Sequence, residues 1–251
     1  TSATQPFPTK PVPYTPMGTT EDMLIDFTPE LRAKALEILK KYNYGPVYTP
    51  PLELVGDAKM TLVHPGWGGG GNWTGISVDP ELNMAFVPST NNSISAYGLV
   101  KPDPARSNFD YIANLGRGPQ GPEGLPLFKP PYSHVTVIDL NKGDHIWEIP
   151  IGAGPIDHPA IKELNLPPMG GRRRGMPVLT KTLLFITNGG TGEPNFRAID
   201  KKTGTTVWET TLDSSPAGTP MTYEAKGKQY IVVATGGGRR SPAKLIALSL
   251  P

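Results

Sequence analysis

Three groups of residues in this 251-residue chain have types that could do chemistry. The run Gly68-Gly-Gly-Gly71 leads directly into Asn72 and Trp73. An amide brings donors and an acceptor, an indole brings a flat face and one N–H, and glycine backbone can approach a bulky ligand closely. Read alone, the same residues describe a glycine loop followed by a core tryptophan. The arginine clusters at 172–174 and 239–240 have no interleaved aromatics, so they read as solvated loops rather than a nucleic-acid track. The four histidines, His64, His134, His145 and His158, have no metal-ligand spacing. Gly66, Gly68 and Gly71 satisfy the dinucleotide pattern in form, but strand-like sequence follows and no helix opens to receive a pyrophosphate. Asn72-Trp73-Thr74 also spells a glycosylation sequon, discounted because a glycan there would cover the amide and indole. No nucleophile elbow or carboxylate pair emerges.

The elements that must position these residues show an internal repeat. Ala198, Asp200, Thr203, Gly204 and Trp208 are spaced like one outer hairpin of a β-propeller blade. The spacing of Val137, Asp139, Gly143 and Trp147 matches it 61 residues earlier. In each copy an alternating strand enters a turn that aspartate can brace and glycine can close, and the second strand carries a Trp. Each indole offers roughly 150–250 Å² for burial, so Trp147 and Trp208 are expected to anchor one blade to the next.

Composition agrees with an all-β chain. The 29 glycines and 30 prolines lie in clusters between short apolar runs, which favours turns over disorder. One helix is expected, with Thr28 as cap, Pro29 at its first position, Leu31, Ala35, Leu36 and Leu39 as its apolar stripe, and Gly45 beyond its end. A net charge of +2 selects no partner, the lack of cysteine excludes disulfides and thiolate metal sites, and no run of about 18 apolar residues exists. Residues 1–58 therefore form an extended leading segment plus helix, and 59–251 about three blades, near 74–150, 175–212 and 218–250, the third lacking its last strand. Val100 to Tyr132 reads as a long loop at a propeller face. So few blades cannot close a ring, and open sheet edges need covering, so a partner half is expected.

Four separated motifs carry a resemblance. Thr1 to Lys10 with Tyr48-Thr-Pro-Pro51, Gly71-Asn-Trp-Thr-Gly-Ile-Ser-Val-Asp-Pro80, the Ala198 to Trp208 hairpin, and Ala217 to Tyr223 with Gly227 to Ala234 resemble the C-terminal part of the pyrroloquinoline quinone (PQQ) dehydrogenases, in particular the membrane glucose dehydrogenase and polyol dehydrogenase branch. The resemblance implies the C-terminal blades of an eight-bladed propeller that oxidises a sugar, alcohol or polyol, with PQQ as cofactor, calcium polarising it, and a quinone or cytochrome accepting the electrons. Catalytic residues and metal ligands would lie in the N-terminal half, so none is assigned in this chain. The resemblance places Asn72 and Trp73 at the cofactor. It also points to Gly238 and Arg239, where the family usually has a histidine after two glycines; Arg239 there would meet a cofactor carboxylate. A periplasmic location is implied, with inner-membrane association through the missing part left open. The alternative is a non-catalytic propeller that serves as a binding scaffold.

Overall fold

A computed structural model describes residues 8–189, 194–238 and 241–250. The helix forms where expected. In α1 (Pro29–Leu39) the Thr28 hydroxyl accepts a hydrogen bond from the Leu31 N–H at 3.2 Å, and Leu31, Ala35 and Leu39, four residues apart, are buried. Among the described residues no helix is long and apolar enough to cross a membrane.

Fourteen antiparallel strands make four sheets among the described residues. β1 (Thr61–Val63) precedes β2 (Ser77–Asp79), β3 (Met84–Thr90), β4 (Ser95–Val100), β5 (Ile112–Arg117), β6 (Ser133–Asp139) and β7 (Asp144–Pro150). The first large sheet has the order β2-β3-β6-β7. β8 (Arg173–Leu179), β9 (Leu183–Gly189), β10 (Asn195–Asp200) and β11 (Thr206–Thr211) form the second, in sequence order. β12 (Met221–Ala225), β13 (Lys228–Thr235) and β14 (Lys244–Leu248) form a three-stranded third.

The repeat holds down to its irregularities. Val137 pairs with Trp147 and Ala198 with Trp208, and in both hairpins the register slips immediately after the first-named residue. One carboxylate oxygen of Asp139 accepts from the N–H groups of Asn141 and Lys142, and one of Asp200 from those of Lys202 and Thr203. Asp79, at the end of β2, accepts likewise from Glu81 and Leu82. Gly143 and Gly204 close their turns at φ +70° and +75°.

The tryptophans differ in their surroundings. Trp147 reaches the second sheet, where its ring lies so close to Gly204 that a Cβ built there would stand 3.1 Å from it. Around it Phe86, Val135 and Val137 of the first sheet bury against Leu184, Ile186 and Ile199 of the second. Phe196 of the second sheet buries similarly with Ile231 and Val233 of the third. Trp208, however, is 42% exposed, and its ring contact is Phe196 of its own sheet. It therefore does not repeat the anchoring of Trp147, because no described turn of the third sheet takes the place that Gly204 takes in the second. A buried ion pair also joins the first two sheets: the Lys201 ammonium donates to the Asp79 carboxylate, with both side chains nearly inaccessible.

One element departs from the sequence reading. The expected loop of Val100 to Tyr132 contains β5, which pairs with β4 from Val100–Ile112 to Ser95–Arg117 and, with β1, makes the fourth sheet. β5 is almost wholly exposed, so it carries no apolar alternation by which to recognise it, and its pairing with β4 defines it. Ala96 of β4 and Leu62 of β1 share a core with α1 and with Leu125, Leu127 and Phe128. Residues ahead of the helix lie on the first sheet, where Tyr14 packs on Ala85, Val87 and Ile138. All four imidazoles bond a backbone carbonyl distant in sequence: His64 that of Asn91, His134 that of Tyr14, His145 that of Val12 and His158 that of Glu123, at 2.9–3.1 Å.

Stability should depend on these contacts. Trp147→Ala should destabilise by about 3–5 kcal/mol, and Gly204→Ala by at least ~1 kcal/mol because of its positive φ and the indole beside it. Trp208→Ala should cost clearly less than Trp147→Ala, and urea midpoints compare the three. Burial lowers the pKa of His64 and His134 below the ordinary 6.5. The hydrogen bond from Lys201 lowers that of Asp79 below the ordinary 3.8. Protons taken up only by unfolded imidazoles should weaken the fold as pH falls through about 6.5. Protonation of the Asp79 carboxylate, which is favoured on unfolding, should add a further loss below about 3.8. A midpoint that stays flat between pH 7.5 and 5.5 would refute the first of these two statements.

Candidate functional site

The first strands of the three large sheets, β2, β8 and β12, are entered at neighbouring places, and a cavity of about 530 Å³ lies there. Gly69, Trp73 and Thr74 ahead of β2, Arg172 to Arg174 at the start of β8, and Pro216 and Ala217 ahead of β12 contribute to its wall. Each sheet thus supplies the segment that leads into its first strand.

Backbone contacts hold the glycine loop that carries Trp73. A Cβ on Gly66 would fall 2.5 Å from Ser95 Oγ, one on Gly70 2.4 Å from Thr15 Oγ1, and one on Gly71 2.9 Å from the Tyr14 hydroxyl. The close approach that glycine permits at 70 and 71 is therefore to residues 14 and 15 of the same chain. Gly68 faces more open space, whereas a Cβ on Gly69, at φ +64°, would stand 3.0 Å from the Gly71 carbonyl oxygen. The Trp67 N–H donates to Ser95 Oγ at 3.0 Å, and the Thr90 N–H to the Gly70 carbonyl at 3.1 Å.

Arg174 adds a tie across sheets. Its guanidinium donates to the carbonyls of Gly68, Gly69 and Gly70 at 3.1–3.2 Å, reaching Gly68 with both terminal nitrogens. Burial lowers its pKa from the ordinary value. Asn72 Nδ2 donates to the same Gly68 carbonyl at 2.9 Å, while Asn72 Oδ1 accepts from the Trp73 N–H at 2.8 Å. The Asn72 amide thus braces the turn, and the indole of Trp73, 72% exposed, presents its face.

The residues picked out from sequence therefore have different places. Trp73 lines the cavity, and Asn72 stands behind it as a brace. Gly238 is exposed, has open space around its Cα and does not line the cavity. Arg239 lies outside the described residues. The three arginines at 172–174, read from sequence as solvated loop, form part of the wall, as does Thr74, whose buried hydroxyl has no hydrogen-bond partner. Their signal in the sequence was the arginine run itself, but nothing local tied it to the glycine loop about 100 residues upstream.

A second cavity, of about 450 Å³, shares Asn92 and Arg172 with the first. Gln120, Leu125 and Leu127, from the insertion between β3 and β6, line it with Tyr132. The Tyr132 hydroxyl is buried without a partner, and burial pushes its pKa well up. The first cavity is lined by hydroxyls, an amide, guanidiniums and an indole, with no carboxylate or imidazole among the described lining residues. Such a wall can bind and orient a ligand but supplies no general base. Among the described residues no group of three His, Cys, Asp or Glu side chains could hold a metal ion.

Comparison with known proteins accounts for this architecture. The family model described as PQQ glucose/ethanol/alcohol dehydrogenase, β-propeller domain, matches residues 1–231. Quinoprotein glucose dehydrogenase A of Acinetobacter calcoaceticus is 30% identical over 84% of this chain and 28% of that protein. The probable quinate dehydrogenase (quinone) of Xanthomonas campestris pv. juglandis is 31% identical over 84% of this chain and 29% of its own length. The glycerol dehydrogenase large subunit of Gluconobacter thailandicus is 29% identical over 79% and 30%. The chain thus spans less than a third of the length of the curated relatives it matches. Among the described residues it is mostly sheet, with one α-helix, and the match runs through the first two large sheets and into β13 of the third. The chain belongs to the PQQ glucose/ethanol/alcohol dehydrogenase β-propeller family.

Proposed function

We propose that this chain is the C-terminal part of a PQQ-dependent dehydrogenase that oxidises a sugar, alcohol or polyol in the periplasm, and that it supplies one wall of the cofactor site. The observation that carries the reading is the convergence of three first-strand entries on a cavity walled by an exposed indole, in a chain of this family. The wall suits the group. An indole face can stack on a planar quinone, and the unpartnered hydroxyl of Thr74 can meet a ring oxygen or carboxylate. When bound, PQQ supplies the redox chemistry by accepting the two electrons that leave the alcohol.

This chain's residues bind and orient. Trp73 offers the stacking face, and Asn72 and Arg174 keep the turn beneath it from moving. The second cavity, reached past Asn92 and Arg172, is the compartment for substrate, with Tyr132 in its wall. A carboxylate base and calcium ligands belong to an N-terminal half of the propeller, without which the chain is inactive. Apolar side chains exposed on the first and third sheets, among them Ile76, Val78, Met221 and Leu245, are the surfaces that such a half covers. Electrons leave to a quinone or cytochrome.

The test is addition of PQQ and calcium to the full-length apoprotein, with dye reduction by glucose, glycerol and quinate as the readout. Activity that needs both additions is expected, and no reduction with any sugar, polyol or hydroxy acid would overturn the reading. Trp73→Ala should weaken PQQ binding about tenfold, equivalent to ~1.4 kcal/mol of lost stacking. Asn72→Ala, which acts through the turn, should weaken it less. Quenching of intrinsic fluorescence by the quinone measures both.

A further inference from the structure

The run Arg172-Arg173-Arg174 faces one cavity, although consecutive residues of a regular strand point to opposite faces. The reason is local. In β8 Arg173 pairs with Gly189 and Met176 with Thr187, so β8 spends one residue more than β9 between these pairs. A bulge of this kind re-aims side chains and recurs beside binding sites. Among the described residues the cavity wall carries three guanidiniums and no carboxylate, and none of the three arginines makes an ion pair. Arg174 is occupied by the glycine-loop carbonyls. Arg172 and Arg173 make no such contact and stand beside the Trp73 indole and the unpartnered Thr74 hydroxyl. Arg172 and Arg173 are exposed, so water screens their mutual repulsion, yet three positive charges on one wall still favour an anion between them. Guanidinium groups also match carboxylates in geometry, two N–H bonds to two oxygens.

We infer that Arg172 and Arg173 hold the carboxylates of a planar polyanion lying against Trp73, while Arg174 positions the loop that carries the indole. The inference rests on the cofactor reading above, because PQQ is a planar tricyclic quinone with three carboxylates; it assigns the anchoring of those carboxylates to a segment of this chain that composition alone places in a solvated loop. Arg174 is a positioning residue, since it acts through the Gly68 carbonyl that it shares with Asn72.

The experiment titrates full-length apoprotein with PQQ and with its uncharged trimethyl ester, following fluorescence quenching between 50 and 500 mM salt. For the R172Q/R173Q protein PQQ affinity should fall at least tenfold and its salt dependence flatten, with ester affinity unchanged and the urea midpoint close to wild type. R174Q should lose the near-UV circular dichroism that W73F also loses, and R174K should restore part of it, because one guanidinium nitrogen reaches all three carbonyls and an ammonium carries three N–H donors. Wild-type PQQ affinity and salt slope in R172Q/R173Q would overturn the inference while leaving the cofactor reading intact. Equal losses for PQQ and ester would likewise overturn it, since the arginines would then act on shape rather than charge. Failure of the wild-type protein to bind PQQ would overturn both.

Discussion

The contact between the Trp147 ring and Gly204 sets one sheet against the next, and the rest of the structure depends on it. The indole belongs to the outermost strand of the first sheet and the glycine to the outer turn of the second. Glycine suits that position, since a Cβ would stand 3.1 Å from the ring and the backbone is at φ +75°. Burial of the indole between sheets contributes stability in proportion to apolar area removed from water. The Asp79–Lys201 pair acts at the same interface. Desolvation of two charges offsets much of their attraction, and either partner left alone would be a buried uncompensated charge.

Once the sheets are fixed in this way, the segments leading into β2, β8 and β12 are brought together. None of them would form a site alone. The glycine loop ahead of β2 has its inner positions filled by Tyr14 and Thr15, its carbonyls bound by Arg174 and its turn braced by Asn72, so that little but the Trp73 face remains to meet a ligand. The loop is held because its carbonyls and the Asn72 amide are bonded within the chain, while the Thr74 hydroxyl, Arg172 and Arg173 keep their polar groups for a ligand. Residues 91–132, inserted between β3 and β6, build the adjoining compartment and share a core with α1.

Much of the fold was legible because the repeat is written in local chemistry. Aspartate at 139 and 200 bonds the next two or three N–H groups, glycine closes each turn, and Thr28 with Pro29 starts the helix; each is an interaction between residues within a few positions of one another. Trp147 and Trp208 have the same local surroundings and so read alike, yet one is seated on the neighbouring sheet and the other is 42% exposed. β5 was hidden because an exposed strand held by its neighbour shows no alternation. In the candidate site Asn72 and Trp73 could be picked out from sequence, while their division into a brace and an exposed cavity-lining face could not.

What the chain determined by itself is therefore the short-range part: hairpins, turn residues, the capped helix and the 61-residue repeat, since backbone groups find their partners there without help from distant residues. Tertiary structure alone decided which glycines are filled by the chain's own side chains, which arginine ties the loop and which line the cavity. Those outcomes depend on pairs such as Arg174 with Gly68, 106 positions apart, whose proximity arises only when the sheets pack.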